Sequence, residues 1–456
     1  MQLDERIKFL EEENAILRKE NKELREQLRF LVQQLERSQV KKDSHNSHNP
    51  PSQDKSSPPK TKSRRKKSKR KPGGQKGHKG HHLQMVDDPD KVHILKSHYC
   101  NQCGINLQSV EGRLLSRRQV VELPPVYPVY EEYRQYGCLC PGCGHHQIAD
   151  YPADVNAPIQ YGRIVVSYLA YFSVYQYIPY RRLKQLFFHT FNLSISEGTI
   201  ENLLKRASRK SQIVYSHIRK LLKEAAYVGA DETGAKVNGE KWWIWVWQNL
   251  RNTYLHASDN RGMATIADCF PEGFPNATIG SDRWAAQLKT AAANHQLCLA
   301  HLERDLIFLE ESEKHKWATH LKELLSDALT LRTQAEQRGK PFQRSEKAAW
   351  KLEDRLNRLL TRPIVKDQYP QTATFQRSII KYRNYLFPFL YDLRIPPDNN
   401  GSERAIRNIK VKQKISGQFK TGQHDFCVLR SVIDTLIKRN LDVFQYLSEI
   451  IAIKTT

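Results

Sequence analysis

Two pairs of cysteines constrain the fold of this chain more than any other feature of its sequence. The segments YCNQCG and CPGCG pair Cys100 with Cys103 and Cys140 with Cys143, and in each pair two residues separate the thiols and a glycine follows. Such a turn can direct two sulfur atoms to one tetrahedral zinc ion at about 2.3 Å. The short strand patterns between the pairs, interrupted by prolines, predict a zinc ribbon over residues 85–154 that holds one structural zinc.

The fourth zinc ligand is open, because Cys138, His145 and His146 lie beside the second pair and could each replace a cysteine. Buried cysteines without a metal are the alternative for the whole set. Disulfides are not expected. No apolar run reaches the length of a membrane span, about 18 residues, and the start, MQLDERIKFL, lacks the pattern of a signal peptide. The chain is therefore expected in the cytoplasm, where thiols stay reduced.

The chain is strongly basic, with 73 lysines and arginines against 49 acidic residues and a formal net charge of +24. This charge favours a polyanionic partner over a small neutral ligand, and nucleic acid is the first expectation. At 456 residues the chain also exceeds the usual size of one domain, so several folded units are expected.

The first 37 residues contain a heptad repeat in which all five d positions are leucine and two a positions are asparagine. A buried asparagine is tolerated best opposite its own copy in a parallel two-stranded coil, so residues 1–37 are predicted to form a dimerising coiled coil. The alternative is a single amphipathic helix packed on its own chain. The a and d positions are Leu3, Ile7, Leu10, Asn14, Leu17, Asn21, Leu24, Leu28, Leu31 and Leu35.

Residues 38–84 are rich in serine, proline, lysine and glycine, and residues 55–80 hold twelve lysines or arginines and no acid. This segment cannot bury enough apolar surface to order itself, so we expect a disordered basic linker whose cations contact DNA phosphates. A solvated linker without DNA contact is the alternative. The DNA-binding residues predicted here are Arg64, Arg65, Lys66, Lys67, Lys69 and Arg70.

Residues 155–224 are predicted to be helical, with the spacing of a helix-turn-helix. YRRLKQLFFHTF, NLS and SEGTIENLLKRAS indicate a helix, a three-residue break and a second helix capped by Ser196. The second helix could read DNA, or the pair could be a helical hairpin of a core. Arg206 and Arg209 lie at the far end of the second helix, better placed for phosphates than for bases.

Two apolar runs in residues 225–301 end in an aspartate. AAYVGADETG and TIGSD predict buried strands that carry Asp231 and Asp282 at their carboxyl ends. KWWIWVWQNL, NTYLHAS and QLCLAHL predict three more strands, and GMATIADCF and RWAAQLKTAAAN predict helices. The pattern therefore predicts a mixed α/β sheet with two aspartates at neighbouring strand ends.

The pattern of residues 302–382 is helical and charged, which indicates an insertion between the sheet and residues 383–456. In the last segment PPDNNG breaks the chain. Ser402 is expected to cap a helix that begins at Glu403 and carries Arg407 and Lys410 on the same face.

Three neighbouring carboxylates are tolerated when divalent cations bridge them. Mg²⁺ prefers oxygen ligands, and two such ions about 4 Å apart can activate an attacking oxygen and stabilise the leaving oxygen of a phosphodiester. Asp231, Asp282 and Glu403 are therefore the predicted catalytic residues and the ligands of two Mg²⁺ ions per active site. Arg407 and Lys410 would hold the DNA phosphates that the carboxylates alone would repel.

Several motifs resemble the insertion-sequence-66 type of bacterial DDE transposase. They are ADETG, GSDRWAA, NNGSERAIRNIKVKQK, KPGGQKGHKG and the two cysteine pairs. The resemblance implies a multidomain protein in which a coiled coil, a zinc ribbon and a helical segment precede an α/β ribonuclease-H-like catalytic core with a helical insertion. In that fold Asp231, Asp282 and Glu403 would form the catalytic triad.

The same resemblance implies double-stranded DNA as the partner, both transposon terminal inverted repeats and target DNA, in the nucleoid of a bacterial cytoplasm. Accessory proteins of the same element are expected. Members of this family usually have a tyrosine-rich stretch after the second aspartate, where this chain has Arg283, Trp284 and Gln287. Cys298 and His301 match a Cys-x-x-His pattern of related transposases, for which we expect a structural role, with zinc binding as the alternative.

The reaction implied is metal-dependent cleavage at the transposon ends followed by attack of the freed 3′-hydroxyl on target DNA, without a covalent enzyme intermediate. A homodimer or higher oligomer formed through the coil would bring two ends together. The alternatives are a non-catalytic zinc-containing DNA-binding regulator and a structural nucleoid protein. The regulator would leave the aspartates at the strand ends and the glutamate helix without a role, and a nucleoid protein should show no preference for particular DNA ends.

Overall fold

The computed structural model describes residues 3–40, 42–43, 45–47, 77, 83–152 and 154–453. The chain divides into two compact units. One is Thr61–Val129, and the other comprises Met1–Lys60 and Tyr130–Thr456. The six basic residues predicted to bind DNA between positions 64 and 70 lie outside the described residues.

The first 37 residues were predicted to be helical, and a helix, α1, spans Leu3–Gln39. Its apolar heptad positions are exposed to solvent wherever their side chains are described, for example Leu17 at 49% and Leu24 at 61%. Asn14 and Asn21 each donate a side-chain hydrogen bond to the carbonyl four residues earlier. The apolar stripe therefore remains available for a partner helix, and the dimer stays a prediction.

The segment around the cysteine pairs contains fewer strands than the sequence predicts. A single antiparallel bridge, Tyr99 with Asn106, closes the first cysteine turn. Two short antiparallel strands, β1 (Gly137–Leu139) and β2 (His146–Ile148), flank the second turn. Strands predicted over residues 118–136 are absent from the structure. Three prolines there, at positions 124, 125 and 128, lack the N–H that a β-ladder needs.

The helical segment after residue 155 forms as predicted. Ser196 caps α4 by accepting a hydrogen bond from the Thr199 N–H, which confirms the predicted start of that helix. The helix runs for 27 residues, twice the predicted length, because apolar residues continue at helical spacing as far as Leu222. The helices are α2 (Arg163–Ala170), which continues as one turn of π-helix (Tyr171–Tyr175), α3 (Tyr180–Phe191) and α4 (Glu197–Lys223).

A five-stranded mixed sheet follows, with the strand order β5-β4-β3-β6-β7. In this sheet β4 pairs antiparallel with both β3 and β5, whereas β6 pairs parallel with both β3 and β7. The strands are β3 (Tyr227–Val237), β4 (Glu240–Gln248), β5 (Thr253–Ser258), β6 (Phe274–Ser281) and β7 (Ala292–Leu297). Between them lie the short helices α5 (Met263–Cys269) and α6 (Ala285–Lys289).

Three details of the predicted sheet are wrong. The strand predicted over QLCLAHL lies too late in the chain, because β7 ends at Leu297 and a helix begins at Leu299. Asp231 does not end its strand, because β3 continues for six residues to a tight turn at Asn238 and Gly239, both of which have positive φ, and then returns as β4. The helix predicted over residues 283–294 is only five residues long. The alanines that follow it have high helix propensity, but pairing with β6 makes them an edge strand instead.

The predicted helical insertion is present. Its helices are α7 (Leu299–Ser312), α8 (Lys316–Gln337), α9 (Lys347–Leu360), α10 (Pro370–Lys381) and α11 (Pro388–Tyr391), with a 3₁₀ turn over Arg383–Tyr385. These helices build a hydrophobic core of their own, which also receives Tyr227 and Leu297 from the sheet. A second, larger core joins α2–α4, the sheet and the carboxy-terminal helices.

The carboxy-terminal helices are α12 (Asn400–Ser416), α13 (Gln423–Lys438) and α14 (Val443–Ala452). The prediction that Ser402 caps α12 is wrong, since the helix begins before it and Ser402 is buried in the first turn. Glu403 is therefore also in the first turn. Helix α12 packs on β3 and β4, which brings it to the strand that carries Asp231.

Candidate active site

The register of two parallel strands places Asp231 beside Asp282. Gly229 of β3 pairs with Gly280 of β6, and each aspartate lies two residues beyond its glycine. Side chains two residues apart in an extended segment point to the same side. The parallel pairing of β3 with β6 ends at these glycines, so both aspartates lie where the two strands separate.

Buried polar contacts fix the start of α12 on β3. The Asn399 side chain donates to the Ala230 carbonyl at 2.7 Å, directly before Asp231, and accepts from the Ser402 hydroxyl at 2.7 Å. Gln248 of β4 donates to Ser402 at 3.3 Å and accepts from Lys438 at 2.9 Å. These side chains are anchored on both strands, and they set the position of Glu403 one residue beyond Ser402.

Two glycines permit this close approach. A Cβ atom at Gly229 would lie 2.6 Å from Asn399 Oδ1 and 2.7 Å from Ser402 Oγ, and one at Gly401 would lie 2.4 Å from Gln248 Nε2. Since Asp231 is on the same side of β3 as Gly229, it faces the first turn of α12. The geometry thus directs Asp231 towards the turn that carries Glu403.

Asp231 lies within the electrostatic influence of the other two predicted catalytic carboxylates. Burial raises the pKa of Asp231 well above its ordinary value, and the charges of Asp282, Glu232 and Glu403 raise it further. The Glu232 N–H donates to Asp231 at 2.8 Å, and the Trp284 N–H donates to Asp282 at 2.8 Å. Carboxylates that repel in this way favour a bound divalent cation, and an all-oxygen donor set fits Mg²⁺.

The triad does not converge on one point. Among the described residues, the one group of three or more ligand atoms within 4.8 Å of one another is formed by Cys298, His301 and Glu403. A site for two ions needs no such convergence, because each Mg²⁺ is commonly held by one or two carboxylates and by waters.

Glu403 also contacts the first helix of the insertion. One carboxylate oxygen lies 3.7 Å from His301 Nε2 and the other 3.8 Å from Arg304. Cys298, directly before α7, is buried, and burial raises the pKa of its thiol to about 12. The sequence pointed to Cys298 and His301, but Arg304 gave no signal of its own.

Glu232 is a buried neighbour of the candidate site that was not predicted from the sequence. Its side chain is only 2% exposed and accepts two hydrogen bonds from the Arg261 guanidinium, at 2.9 and 3.0 Å. Gln287 donates to its other oxygen at 2.5 Å, and the Arg261 guanidinium lies 3.9 Å from the centre of the Trp284 ring. Burial raises the Glu232 pKa first of all, and the Asp282 charge raises it further, whereas Arg261 opposes the shift.

The residues that replace the expected tyrosine-rich stretch therefore make internal contacts. Trp284 and Gln287 support Glu232 and the turn after Asp282. Arg283 forms an ion pair with Asp305 of α7 and lies 4.6 Å from the Phe375 ring centre of α10. The turn after the second aspartate is in this way attached to the helical insertion.

Comparison with protein-family models identifies the chain. The model of the IS66 transposase family matches residues 158–424, which is more than half of the chain and includes Asp231, Asp282 and Glu403. The chain belongs to the IS66 transposase family. A second model, of a family of unknown function (DUF6444), matches residues 4–84 of this IS66-family chain. No curated protein matches the chain.

The IS66 match extends from α2 into the first residues of α13, so it contains the sheet, the insertion and the glutamate helix. Membership of a transposase family implies that DNA is a partner. In the part of the chain that the structure describes, no helix is both long and apolar enough to cross a membrane.

The structure describes three of the residues predicted to contact DNA in this IS66-family protein. Arg407 is exposed on α12, and Arg206 is half-buried on α4. Lys410 is half-buried and donates to the Gly234 carbonyl of β3 at 2.7 Å, and burial lowers its pKa. Part of the hydrogen-bonding capacity of Lys410 is thus used to hold α12 on the sheet. Contact of these three residues with DNA stays a prediction.

The two cysteine turns lie outside both matched ranges and have the same local geometry. In the first, the Gly104 N–H donates to the Cys100 carbonyl, and in the second the Gly144 N–H donates to the Cys140 carbonyl. Both glycines have positive φ. Hydrogen bonds from the backbone of Cys103 lower the pKa of Cys100, and those from the Gly142 backbone lower that of Cys140.

Thiolates stabilised by backbone N–H groups suit a zinc ligand, so the chemistry of each turn fits the predicted ion. The zinc ribbon and its fourth ligand stay predictions. Cys138, on β1, and His145 and His146 are all exposed beside the second turn.

Proposed function

We propose that the chain is a DNA transposase that cuts phosphodiester bonds at the ends of its element and joins the freed 3′-hydroxyl to target DNA. Asp231, Asp282 and Glu403 are the catalytic carboxylates in this proposal. The observation that carries it is that the charges of both Asp282 and Glu403 raise the pKa of Asp231 in a chain of the IS66 family, although about 120 residues separate Asp282 from Glu403.

The sheet supports this assignment. Three antiparallel strands followed by two parallel strands, in the order β5-β4-β3-β6-β7, is the arrangement expected of a ribonuclease-H-like core. In that arrangement the first strand of the sheet, here β3, is central, and the fourth strand of the sheet, here β6, lies beside it. Asp231 on β3 and Asp282 after β6 are then adjacent for a topological reason.

Bound at Asp231, Asp282 and Glu403, two Mg²⁺ ions would supply charge neutralisation and an activated oxygen for attack on phosphorus. The chain itself does the positioning. The buried contacts of Asn399 hold the glutamate helix on β3, and the hydrogen bonds from Arg261 and Gln287 fix the side chain of Glu232. Rigid support of this kind keeps reacting groups aligned, which is where most of the catalytic gain in phosphoryl transfer arises.

The two chemical steps balance without any group attached to the enzyme. Water attacks the phosphodiester at the element's end, and the bond to the 3′-oxygen breaks, leaving a 3′-hydroxyl. That hydroxyl then attacks a target phosphodiester, and the target's own 3′-oxygen leaves. Arg407, exposed on the same helix as Glu403, is placed to contact a phosphate on either strand.

The test is strand cleavage and joining on linear DNA that carries the inverted repeats flanking this gene. Wild type is compared with Asp231→Asn and Glu403→Gln, each with Mg²⁺ and with EDTA. The matched control is Asp259→Asn, since Asp259 is exposed after β5. Metal-dependent 3′-hydroxyl ends should form with wild type and the control and be lost in both active-site variants.

Two results would contradict the proposal. If both Asp231→Asn and Glu403→Gln still cleave DNA, the assignment of the catalytic triad is wrong. Wild type that binds the ends but never cuts them, even with accessory proteins of the element added, would favour the non-catalytic regulator. Zinc analysis of a fragment spanning residues 85–155 should find about one zinc per chain for the ribbon.

A further inference from the structure

Three side chains at the start of α7 face Glu403. Cys298, His301 and Arg304 follow one another at a spacing of three residues, which places them along one side of a helix. His301 and Arg304 approach the two carboxylate oxygens of Glu403, and ligand atoms of Cys298, His301 and Glu403 all lie within 4.8 Å of one another. Within the described residues, this is the one cluster with the spacing of a metal site.

The cluster is held in place by the backbone around it. The Cys298 N–H donates to the Ser281 carbonyl at 2.9 Å, and the Cys298 sulfur accepts from the Asn399 N–H at 3.2 Å. The N–H of Leu299 donates to the Pro397 carbonyl at 3.0 Å. The end of β6, the start of α7 and the start of α12 therefore meet at this point, so the three ligand groups need no large rearrangement to converge.

The donor chemistry differs from that of the carboxylate triad. A thiol sulfur, an imidazole nitrogen and a carboxylate oxygen suit zinc, whereas Mg²⁺ takes oxygen ligands and avoids sulfur. One oxygen of Glu403, Oε1, is buried and accepts no hydrogen bond within the described residues, and the His301 Nε2 atom lies 3.7 Å from it. Such an oxygen is available to a cation.

We propose that Cys298, His301 and Glu403 form a second metal site that binds zinc in preference to magnesium and withdraws Glu403 from the carboxylate triad. Binding replaces the thiol proton of Cys298, which leaves to solvent, with a sulfur–metal bond. One zinc ion then balances the charges of the thiolate and the carboxylate. Because a structural zinc site takes four ligands, water or a further side chain completes the coordination.

If zinc binding withdraws Glu403 from the triad, zinc should inhibit the magnesium-dependent reaction. This consequence rests on the proposed function, since it requires Glu403 to serve the triad, but metal binding itself does not. The two parts are therefore measured separately, and binding is measured first.

Binding is tested on the full-length chain by titration with Co²⁺, which reports a thiolate ligand through a charge-transfer band and tetrahedral geometry through its visible bands. Wild type should bind one more cobalt ion per chain than Cys298→Ala, because both proteins keep the cysteine turns at residues 100–103 and 140–143. His301→Ala and Glu403→Gln should each weaken this additional site by more than about 10-fold.

The matched control is Cys427→Ala, which removes a buried thiol of α13 outside the cluster and should keep the wild-type stoichiometry. Equal stoichiometry and equal spectra for wild type and Cys298→Ala would overturn the site. If Cys298→Ala fails to fold, His301→Ala, whose side chain is partly exposed, gives the same comparison.

Inhibition is tested by adding zinc to the magnesium-dependent cleavage assay, with each protein normalised to its own rate without zinc. Half-inhibition of Cys298→Ala should require more than about 10 times the zinc that inhibits wild type. Equal sensitivity of the two proteins would overturn the inhibitory role. If no protein cuts DNA, the proposed function fails, while the cobalt titration still decides whether the second site exists.

Discussion

Asn399 determines where the glutamate helix meets the sheet. Its amide donates to the Ala230 carbonyl, its oxygen accepts from Ser402, and its side chain is almost fully buried. Asn399→Asp replaces the donor with a second acceptor and leaves the Ala230 carbonyl without its partner. We expect the variant to lose about 1–3 kcal/mol of stability and to cut DNA more slowly, as measured by denaturant unfolding and the cleavage assay.

The neighbouring asparagine is the control for this prediction. Asn400 is exposed at the first position of α12, where an acidic side chain interacts favourably with the helix dipole. Asn400→Asp should therefore be neutral or slightly stabilising. Equal losses in the two variants would show that the Ala230 contact does not position the helix.

Asp231 makes the stability of the metal-free protein depend on pH. Its pKa is raised in the folded state by burial and by nearby carboxylates, so the folded protein holds the proton more tightly than the unfolded chain does. Stability therefore falls as pH rises from the ordinary carboxyl range through the raised pKa. In EDTA, Asp231→Asn should exceed wild type in stability by a margin that grows as the pH rises from the ordinary carboxyl range towards the raised pKa of Asp231.

The exposed Asp259→Asn serves as the control for that titration, and its difference from wild type should not grow with pH in the same way. A margin for Asp231→Asn that stays constant across the range would mean that Asp231 is as easily ionised in the folded protein as in the unfolded one. Saturating Mg²⁺ should shrink the margin in favour of wild type, because the cation stabilises the ionised carboxylates.

At the scale of elements, α8 of the insertion holds the chain that leads into α12. Arg332 is buried and donates hydrogen bonds to the carbonyls of Phe389, Asp392, Leu393 and Ile395. Lysine keeps the charge but cannot reproduce the planar fork of donors. Arg332→Lys should cost about 1.5–3 kcal/mol or more in denaturant unfolding and reduce cleavage, because residues 389–395 precede the glutamate helix.

The control is Arg358→Lys on α9, where the arginine is exposed and pairs with Asp354 at helical spacing. Arg358→Lys should change the free energy of unfolding by less than about 0.5 kcal/mol. Arg332→Lys could instead lower the free energy of unfolding by no more than Arg358→Lys does. That result would mean that the four carbonyls find other hydrogen-bond donors and that Arg332 does not connect the insertion to α12.

The helices and strands also show which parts of the fold can be predicted from sequence patterns. The helices of the insertion, the pair α3 and α4 and the N-cap at Ser196 were predictable, because capping and helical spacing are local properties. The end of β3 was missed although the Asn238-Gly239 turn signals a hairpin. The fifth strand was predicted too late in the chain, over QLCLAHL, because the alanines of β7 favour a helix and only pairing with β6 overrides that preference.

In the candidate site, too, some features could be predicted from the local sequence and others could not. Asp231 and Asp282 were predictable because each follows an apolar run, but their adjacency depends on the order of strands in the sheet. The contacts of Glu232 with Arg261 and of Asn399 with Ala230 join residues far apart in the chain, and nothing in the local sequence indicates them. Pairings of that kind follow only from the assembled fold.

At the scale of the whole molecule, the exposed heptad stripe of α1 predicts the oligomeric state. In a two-stranded coil Leu24 occupies a core position, whereas Glu26 lies at an outer position of the same turn. Leu24→Arg in the full-length chain should dissociate the dimer, while Glu26→Arg should leave it intact. Sedimentation at several concentrations measures both, and a monomeric wild type would exclude the coil as a dimerisation element.

The distribution of positive charge predicts how DNA binding responds to salt. If the cations between residues 64 and 70 neutralise DNA phosphates, replacing them with alanine removes their counterion release. The slope of log K against log salt concentration should then fall by about 5, roughly 0.9 for each of the six phosphate contacts. The substituted residues are Arg64, Arg65, Lys66, Lys67, Lys69 and Arg70.

A control with the same change in net charge separates location from total charge. Six exposed cations of α1 are replaced with alanine in the full-length chain: Lys8, Arg18, Lys19, Lys22, Arg25 and Arg29. Counterion release comes only from cations that contact the backbone, so this variant should keep the wild-type slope, provided that sedimentation shows an unchanged oligomer. Equal slopes for the two variants would mean that DNA responds to the overall charge of +24 and not to the basic segment.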